Sequence, residues 1–207
     1  VVHGCYRDSK LGSLVVVTMQ TLHRAISTWK KMVNLYITLT DFTRQKFIQA
    51  GLPADKIVVK PNFVYPDPGM GEGNGNYAIF IGRLSPEKGL DTLLAAWQLL
   101  GGKIPLKIIG DGPLSNQVRE AVTKLPYVKW LGRLPIQEVY TLIGEAKFLI
   151  FPSQWYETFG RVAIEAFAKG TPVIASNLGN MSSMIESGRT GFHFSPGDPN
   201  DLAALVE

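Results

Sequence analysis

Four charged side chains in this 207-residue sequence have types and spacing suited to holding an anion beside a sugar: Arg83 and Lys88 in GRLSPEKG, and Glu157 and Glu165 in ETFGRVAIE. Arg83 stands just before a segment opening Ser85-Pro86, an N-cap followed by proline at the first helical position. Lys88 falls in the first turn of that helix, where the dipole disfavours a cation. A bound anion would reverse the sign, whereas two solvated cations explain the loop equally well when it is read alone. Thr158-Phe159-Gly160 lead into an amphipathic segment, and Gly160 permits close backbone approach to the free N–H groups of a helix start, which attract phosphate. Glu157 lies just outside that end and Glu165 about two turns in. At helical rise, eight residues span about 12 Å, the reach of a diphosphate. Glu157 could accept hydrogen bonds from a sugar and Glu165 from a ribose, with Arg83 and Lys88 offsetting the charge of diphosphate and carboxylates together. Glu165 interrupts an apolar run, and a half-buried carboxylate needs partners. Against the cation pair, an ordinary surface Glu pair becomes the weaker reading.

The elements that would position these residues alternate. From Tyr77 the sequence reads as strand YAIFIG, helix SPEKGLDTLLAAWQLL, strand LKIIG, helix PLSNQVREAVTKL, strand VKWLG, helix IQEVYTLIGEA, strand KFLIFPS and helix FGRVAIEAFAKG. Strand PVIAS, short helix MSSMIES, strand GFHFS and a helix begun by DPNDLAALVE follow. This rhythm predicts α/β: a doubly wound, Rossmann-like parallel sheet. Nearly continuous apolar strands fit a sheet covered on both faces. Such sheets bind ligands beyond the carboxyl ends of their strands, so those loops are where chemistry is to be sought. Upstream, Val15, Met19, Leu22, Ile26, Trp29 and Val33 share one side at helical spacing over 15–33. A strand NLYITLT, a helix from Asp41 as N-cap to about Ala50, and a strand KIVVK come next.

Other motifs carry less. Gly110-Asp111-Gly112-Pro113 is a strand-to-helix turn, without the third glycine of a dinucleotide fingerprint. The glycine-rich 69–75 leads into a strand and reads as a hinge. His3 and His193 have no spaced partner, and His23 sits on a basic face. Asn180-Met181-Ser182 is a formal glycosylation sequon. The lone Cys5 excludes a disulfide framework and a cysteine-built zinc site, and fits a reducing compartment.

Composition is that of a folded chain, with 45% hydrophobic and 18% charged residues. Net charge is +4, and residues 1–50 carry seven basic side chains against two acidic ones. The remainder is close to neutral. An anionic partner at the basic end and a solvated face are both open. No apolar run approaches the roughly 20 residues of a membrane helix. The opening VVHGCYRDSK shows no signal peptide and reads as a cut inside a longer protein.

Taken as a set, Gly82-Arg83-Leu84, Glu87-Lys88-Gly89, Gly110-Asp111-Gly112-Pro113, Pro152-Ser153, Glu157-Thr158-Phe159-Gly160, Glu165-Ala166 and Gly170-Thr171-Pro172-Val173 resemble the retaining glycosyltransferases of family 4. The resemblance spans roughly 77–206, the donor half of a GT-B architecture. It implies that Arg83 and Lys88 bind the donor diphosphate, Glu165 the ribose hydroxyls and Glu157 the transferred sugar. Amides near Phe159 and Gly160 would reach phosphate or sugar, and Arg133 and Leu134 would lie near the base. Arg83, Lys88 and Glu157 are then the catalytic set. One stretch departs from the pattern: Gly179-Asn180-Met181-Ser182-Ser183 stands where the family carries Gly-Gly and a Pro-Glu pair.

The resemblance divides the chain into 1–65, the tail of an acceptor-side domain and the interdomain connection; 66–76, a linker; and 77–207, a nucleotide-sugar-binding domain cut within its last helix. It implies transfer of a sugar from a nucleoside-diphosphate sugar to an acceptor hydroxyl of a glycan or lipid, with retention, by a cytoplasmic protein at the inner membrane face. Weak peripheral membrane contact is expected, and no metal, separate cofactor or nucleic acid. The chain alone is expected to bind donor without turnover. The competing readings are a nucleotide-sugar epimerase of the same fold and a non-catalytic nucleotide-sugar-binding module.

Overall fold

The computed structural model describes residues 6–7 and 9–207, so Cys5 and His3 lie outside the described residues. Contacts divide the chain into a unit ending at Pro61 and a unit running from Asn62 to Glu207.

In the first unit, α1 (Lys10–Ala25) and α2 (Thr28–Met32) precede β1 (Tyr36–Thr38), α3 (Asp41–Gln49) and β2 (Ile57–Val59), and the two strands pair in parallel. The single helix expected over 15–33 is broken. The Ile26 N–H turns back to the Leu22 and Arg24 carbonyls, and Ser27 takes a left-handed conformation at φ 58°. The helix cap expected at Asp41 is Thr40 instead, whose hydroxyl accepts from the Thr43 N–H.

The second unit contains β3 (Ala78–Ile81), α4 (Leu90–Leu100), β4 (Leu106–Ile109), α5 (Ser115–Lys124), β5 (Val128–Trp130), α6 (Ile136–Glu145) and β6 (Phe148–Phe151). It continues through α7 (Arg161–Ala168), β7 (Val173–Ser176), α8 (Met181–Met184), β8 (Gly191–Phe194) and α9 (Pro199–Val206). All six strands are parallel, in the order β5-β4-β3-β6-β7-β8. The chain therefore winds outward from β3 to β5, returns to the centre, and winds the other way from β6. That is the doubly wound parallel sheet expected from the alternating pattern.

Alternation along each strand builds two cores. Ala78, Phe80, Leu106, Ile108, Ile150 and Ile174 point to one face, beneath α4, α5 and α9. Ile79, Leu149, Phe151, Val173 and Ala175 point to the other, beneath α6, α7 and α8. With both faces covered, β3 (AIFI) and β6 (FLIF) at the centre are apolar throughout, whereas β4 and β5 toward one edge carry Lys107 and Lys129. The reversal of strand order between β3 and β6 leaves a crevice at their carboxyl ends, because the loops leaving these strands run to opposite faces.

The glycine-rich 69–75 is not a free hinge. It lies along the unit as an extended strap, with Gly71 N–H donating to the Lys169 carbonyl at 2.9 Å, Gly73 N–H to Gly144 at 2.8 Å and Gly75 N–H to Glu145 at 2.8 Å. These acceptors belong to the ends of α6 and α7, whose last carbonyls lack intrahelical partners.

Candidate functional site

At the crevice between β3 and β6 lies a cavity of about 370 Å³, lined by Gly82, Arg83, Lys88, Ser153, Glu157 and Gly160 among others. A more open depression of about 460 Å³ adjoins it, lined by Gly82, Arg83, Gly110, Asp111, Gly112 and Arg133. Gly82 and Arg83 are common to both, so the loop after β3 stands between them.

Backbone packing fixes that loop. Gly110 has φ 130°, and a Cβ there would collide with the Gly82 carbonyl oxygen. A Cβ on Gly112 would likewise crowd the Leu84 backbone, 2.5 Å from its carbonyl oxygen. The turn after β4 thus seats directly on the turn after β3, which explains both glycines of the GDG motif. Gly82 N–H donates to the Ile109 carbonyl at 3.0 Å and Leu84 N–H to Asp111 at 3.0 Å. From this platform the Arg83 side chain reaches solvent.

Lys88 is placed differently from the expectation. Pro86–Lys88 form a single 3-10 turn, and Gly89 at φ 70° separates it from α4. A Cβ on Gly89 would strike the Pro152 carbonyl oxygen, so the chain must turn there before the α-helix can begin. Lys88 is therefore not in an α-helical first turn, and the dipole argument from sequence does not apply. Ser85 makes no side-chain cap either, since its hydroxyl donates to Glu87 Oε1 at 2.6 Å. That bond lowers the Glu87 carboxyl pKa.

The Lys88 ammonium donates to Glu157 Oε1 at 2.6 Å. The same oxygen accepts from Ser153 Oγ at 2.6 Å and from Trp155 Nε1 at 2.8 Å. Glu157 is 9% exposed, so its charge is compensated inside the protein. The Lys88 ammonium also lies 5.6 Å from the centre of the Trp155 ring.

The eight-residue interval from Glu157 to Glu165 is not continuous helix, because α7 starts only at Arg161, after Gly160 at φ 89°. Residues 157–160 are a loop that closes the cavity and delivers the first-turn amides of α7 to its wall. Glu165 sits inside α7, 5% exposed, and its Oε1 accepts from Arg161 Nε at 3.0 Å. Burial raises its pKa, against the opposing pull of Arg161. Arg161 lines the cavity.

The two remaining expected residues are split. Arg133 lines the open depression, its Nε 3.7 Å from Asp111 Oδ2. Asp111 is held by the Ser115 hydroxyl and the Gly112 N–H, which lower its pKa. Leu134 is half-buried against the apolar core on the α6 and α7 side. The sequon is not open to modification in this fold, because Asn180 is 1% exposed.

From sequence, Ser153 has a place in the Pro152-Ser153 motif but no role, and neither Trp155 nor Arg161 is singled out. The four-residue interval of Arg161 and Glu165 could have shown their pairing along a helix. Nothing local signals Ser153 and Trp155, because the loop curls back on itself to bring both to one carboxylate oxygen. The assembly is a concave anion-accepting wall: an exposed guanidinium, an ammonium already sharing one carboxylate, a second guanidinium and a helix start.

Residues 70–207 match the family described as glycosyl transferases group 1. Among curated relatives, an uncharacterized glycosyltransferase, MJ1178, of Methanocaldococcus jannaschii is 34% identical over 65% of this chain and 38% of its own length. The O-antigen chain mannosyltransferase B of Escherichia coli is 28% identical over 90% of this chain and 52% of its own length. The chain spans between 27% and 56% of the length of curated relatives such as these. Among solved structures, Anabaena Alr3699/HepE in complex with UDP and glucose superposes with a TM-score of 0.77 at 25% identity, covering 90% of this chain and 56% of that one. The parallel α/β fold is accordingly similar to that of GT-B glycosyltransferases. With the family match covering well over half of its length, the chain belongs to the group 1 glycosyl transferases.

Proposed function

We propose that this chain is the nucleotide-sugar-binding part of a retaining, family 4-type glycosyltransferase, which moves a sugar from a nucleoside-diphosphate donor to a glycan or lipid hydroxyl. The observation that carries it is the cavity at the β3–β6 reversal, where Arg83, Lys88, Glu157 and the start of α7 converge. The wall carries positive charge for a diphosphate and one fixed carboxylate for sugar hydroxyls. The base would lie toward Arg133 and the open depression, and the ribose toward Arg161 and Glu165. The complexes of Alr3699/HepE with UDP and with UDP-glucose support the same class of ligand here.

In transfer, the bond from the anomeric carbon to the β-phosphate oxygen breaks, and negative charge grows on the leaving diphosphate. Arg83, Lys88 and the α7 amides would stabilise that charge as donors already in place before the bond breaks. The acceptor hydroxyl would attack on the face the diphosphate leaves, its oxygen bonding to the anomeric carbon and its proton passing to the departing diphosphate, which gives retention. The cations already on the wall let the donor bind without a divalent metal. The protein would work in the cytoplasm, at the inner face of the membrane, where its basic, apolar-faced N-terminal helices favour weak contact with anionic lipid. No helix among the described residues is long and apolar enough to cross a membrane.

Calorimetric titration with UDP, GDP and ADP tests the binding half of this reading, and one of the three is expected to bind. Failure of all three would overturn it. Anomer analysis of the product made by the full-length protein tests retention.

A further inference from the structure

The departure at Gly179-Asn180-Met181 has a specific structural result. Asn180 is 1% exposed and reaches across to the loop that closes the cavity, donating from Nδ2 to the carbonyl of Phe159. Its own backbone is anchored, because the Asn180 carbonyl accepts from Met184 N–H at 2.9 Å and from Ser183 Oγ at 3.0 Å. The next residue fills the space over Gly160: a Cβ on Gly160 would meet the Met181 methyl group. Met181 is fixed in turn by His193 of β8, whose Nε2 donates to the Met181 carbonyl at 3.0 Å.

The other arm of the carboxamide, Oδ1, is buried with no hydrogen-bond partner among the described residues. An unpaired buried acceptor works against folding, and an apolar side chain of similar volume would not carry that cost. The residue is therefore poorly explained as a stabiliser of the core. Its one made bond goes to the carbonyl immediately before Gly160, the left-handed residue that opens α7.

We propose that Asn180 is a positioning residue for the anion site. Its carboxamide sets the Phe159–Gly160 turn and thereby aims the first-turn amides of α7 into the cavity. It does not touch the ligand, since its polar atoms are sealed from the surface. The inference rests on reading this cavity as the diphosphate site.

The test is Asn180→Ala, titrated by NMR with whichever of UDP, GDP or ADP the wild type binds best, and separately with the matching free nucleoside. Positioning predicts about a tenfold loss for the diphosphate, the scale of one misaligned charge-assisted hydrogen bond, with nucleoside affinity unchanged. It also predicts that the Gly160 and Arg161 amide resonances move on diphosphate addition in the wild type and much less in the variant. If the alanine protein does not fold, Asn180→Ser, which keeps a hydroxyl donor, should show the same split at smaller amplitude. Equal diphosphate affinity in wild type and variant overturns this inference alone, as does an equal loss for nucleoside and diphosphate, which would mark general loosening. Absence of diphosphate binding by the wild type overturns the reading of the cavity, and this inference with it.

Discussion

The Lys88 ammonium and the Glu157 carboxylate, read from sequence as serving the diphosphate and the transferred sugar of a donor, are bonded to each other at 2.6 Å. A diphosphate entering the cavity would therefore meet, at Lys88, a cation that already has a partner, whereas Arg83 is exposed. The two cations should respond differently to removal.

Arg83→Ala is expected to weaken nucleoside-diphosphate binding about ten- to a hundredfold while leaving the melting temperature unchanged. Lys88→Ala should weaken binding comparably and also destabilise the protein by about 1–3 kcal/mol, because it strips a largely buried carboxylate of its ion pair. Calorimetry and thermal melts on both variants check this. Adding Glu157→Gln to Lys88→Ala should recover stability without recovering affinity, and recovery of both would remove Lys88 from the binding site.

Glu157→Gln should spare binding of the bare nucleotide and impair the intact sugar donor. Three donors converge on Oε1, so the second carboxylate oxygen is the one left to meet a sugar. Glu165→Gln should instead weaken the bare nucleotide, about tenfold. Equal loss of free nucleotide in both variants would reverse or abolish the assigned orientation.

Glu165 also makes a pH-dependent prediction. Burial raises its pKa above the ordinary 4.5, so the folded protein holds this proton more tightly than the unfolded chain. Stability attributable to this group falls as pH rises from that ordinary value through the folded one. Glu165→Gln should therefore melt at higher temperature than the wild type at pH 7, with the difference shrinking toward pH 4.5. A variant that melts lower at pH 7 would mean that the Arg161 contact outweighs burial.

Nucleotide affinity should be the same in EDTA as in magnesium or manganese, because Arg83, Lys88, Arg161 and the α7 amides supply the compensating charge. A requirement for either cation in calorimetry would count against the site as drawn.

The sheet was legible because its signals are local. Apolar strands of four residues, set between amphipathic segments, could only be buried on both faces, and the parallel order followed. Arg83 and Glu165 were legible for the same reason, one at a strand end and the other interrupting an apolar helix face. Contacts that depend on loop curvature were not. Lys88 and Glu157 are 69 residues apart, and their bond requires Gly89 to turn against Pro152 and the 153–157 loop to fold back on itself. The Gly-rich 69–75 looked free because its partners, the carbonyls of Gly144, Glu145 and Lys169, are remote in sequence. Asn180 fell within a formal sequon, and nothing in Asn-Met-Ser reports that the side chain turns inward.

The strap has a mechanical consequence. Any pull arriving along the polypeptide from upstream of Met70 meets three amide–carbonyl bonds to Lys169, Gly144 and Glu145 before it reaches β3. Load is thereby taken up by the ends of two helices, as a clamp on a cable spares the soldered joint. β3 leads into the loop that holds Arg83, so this cavity-lining cation lies behind the clamp on the path of a load carried along the backbone.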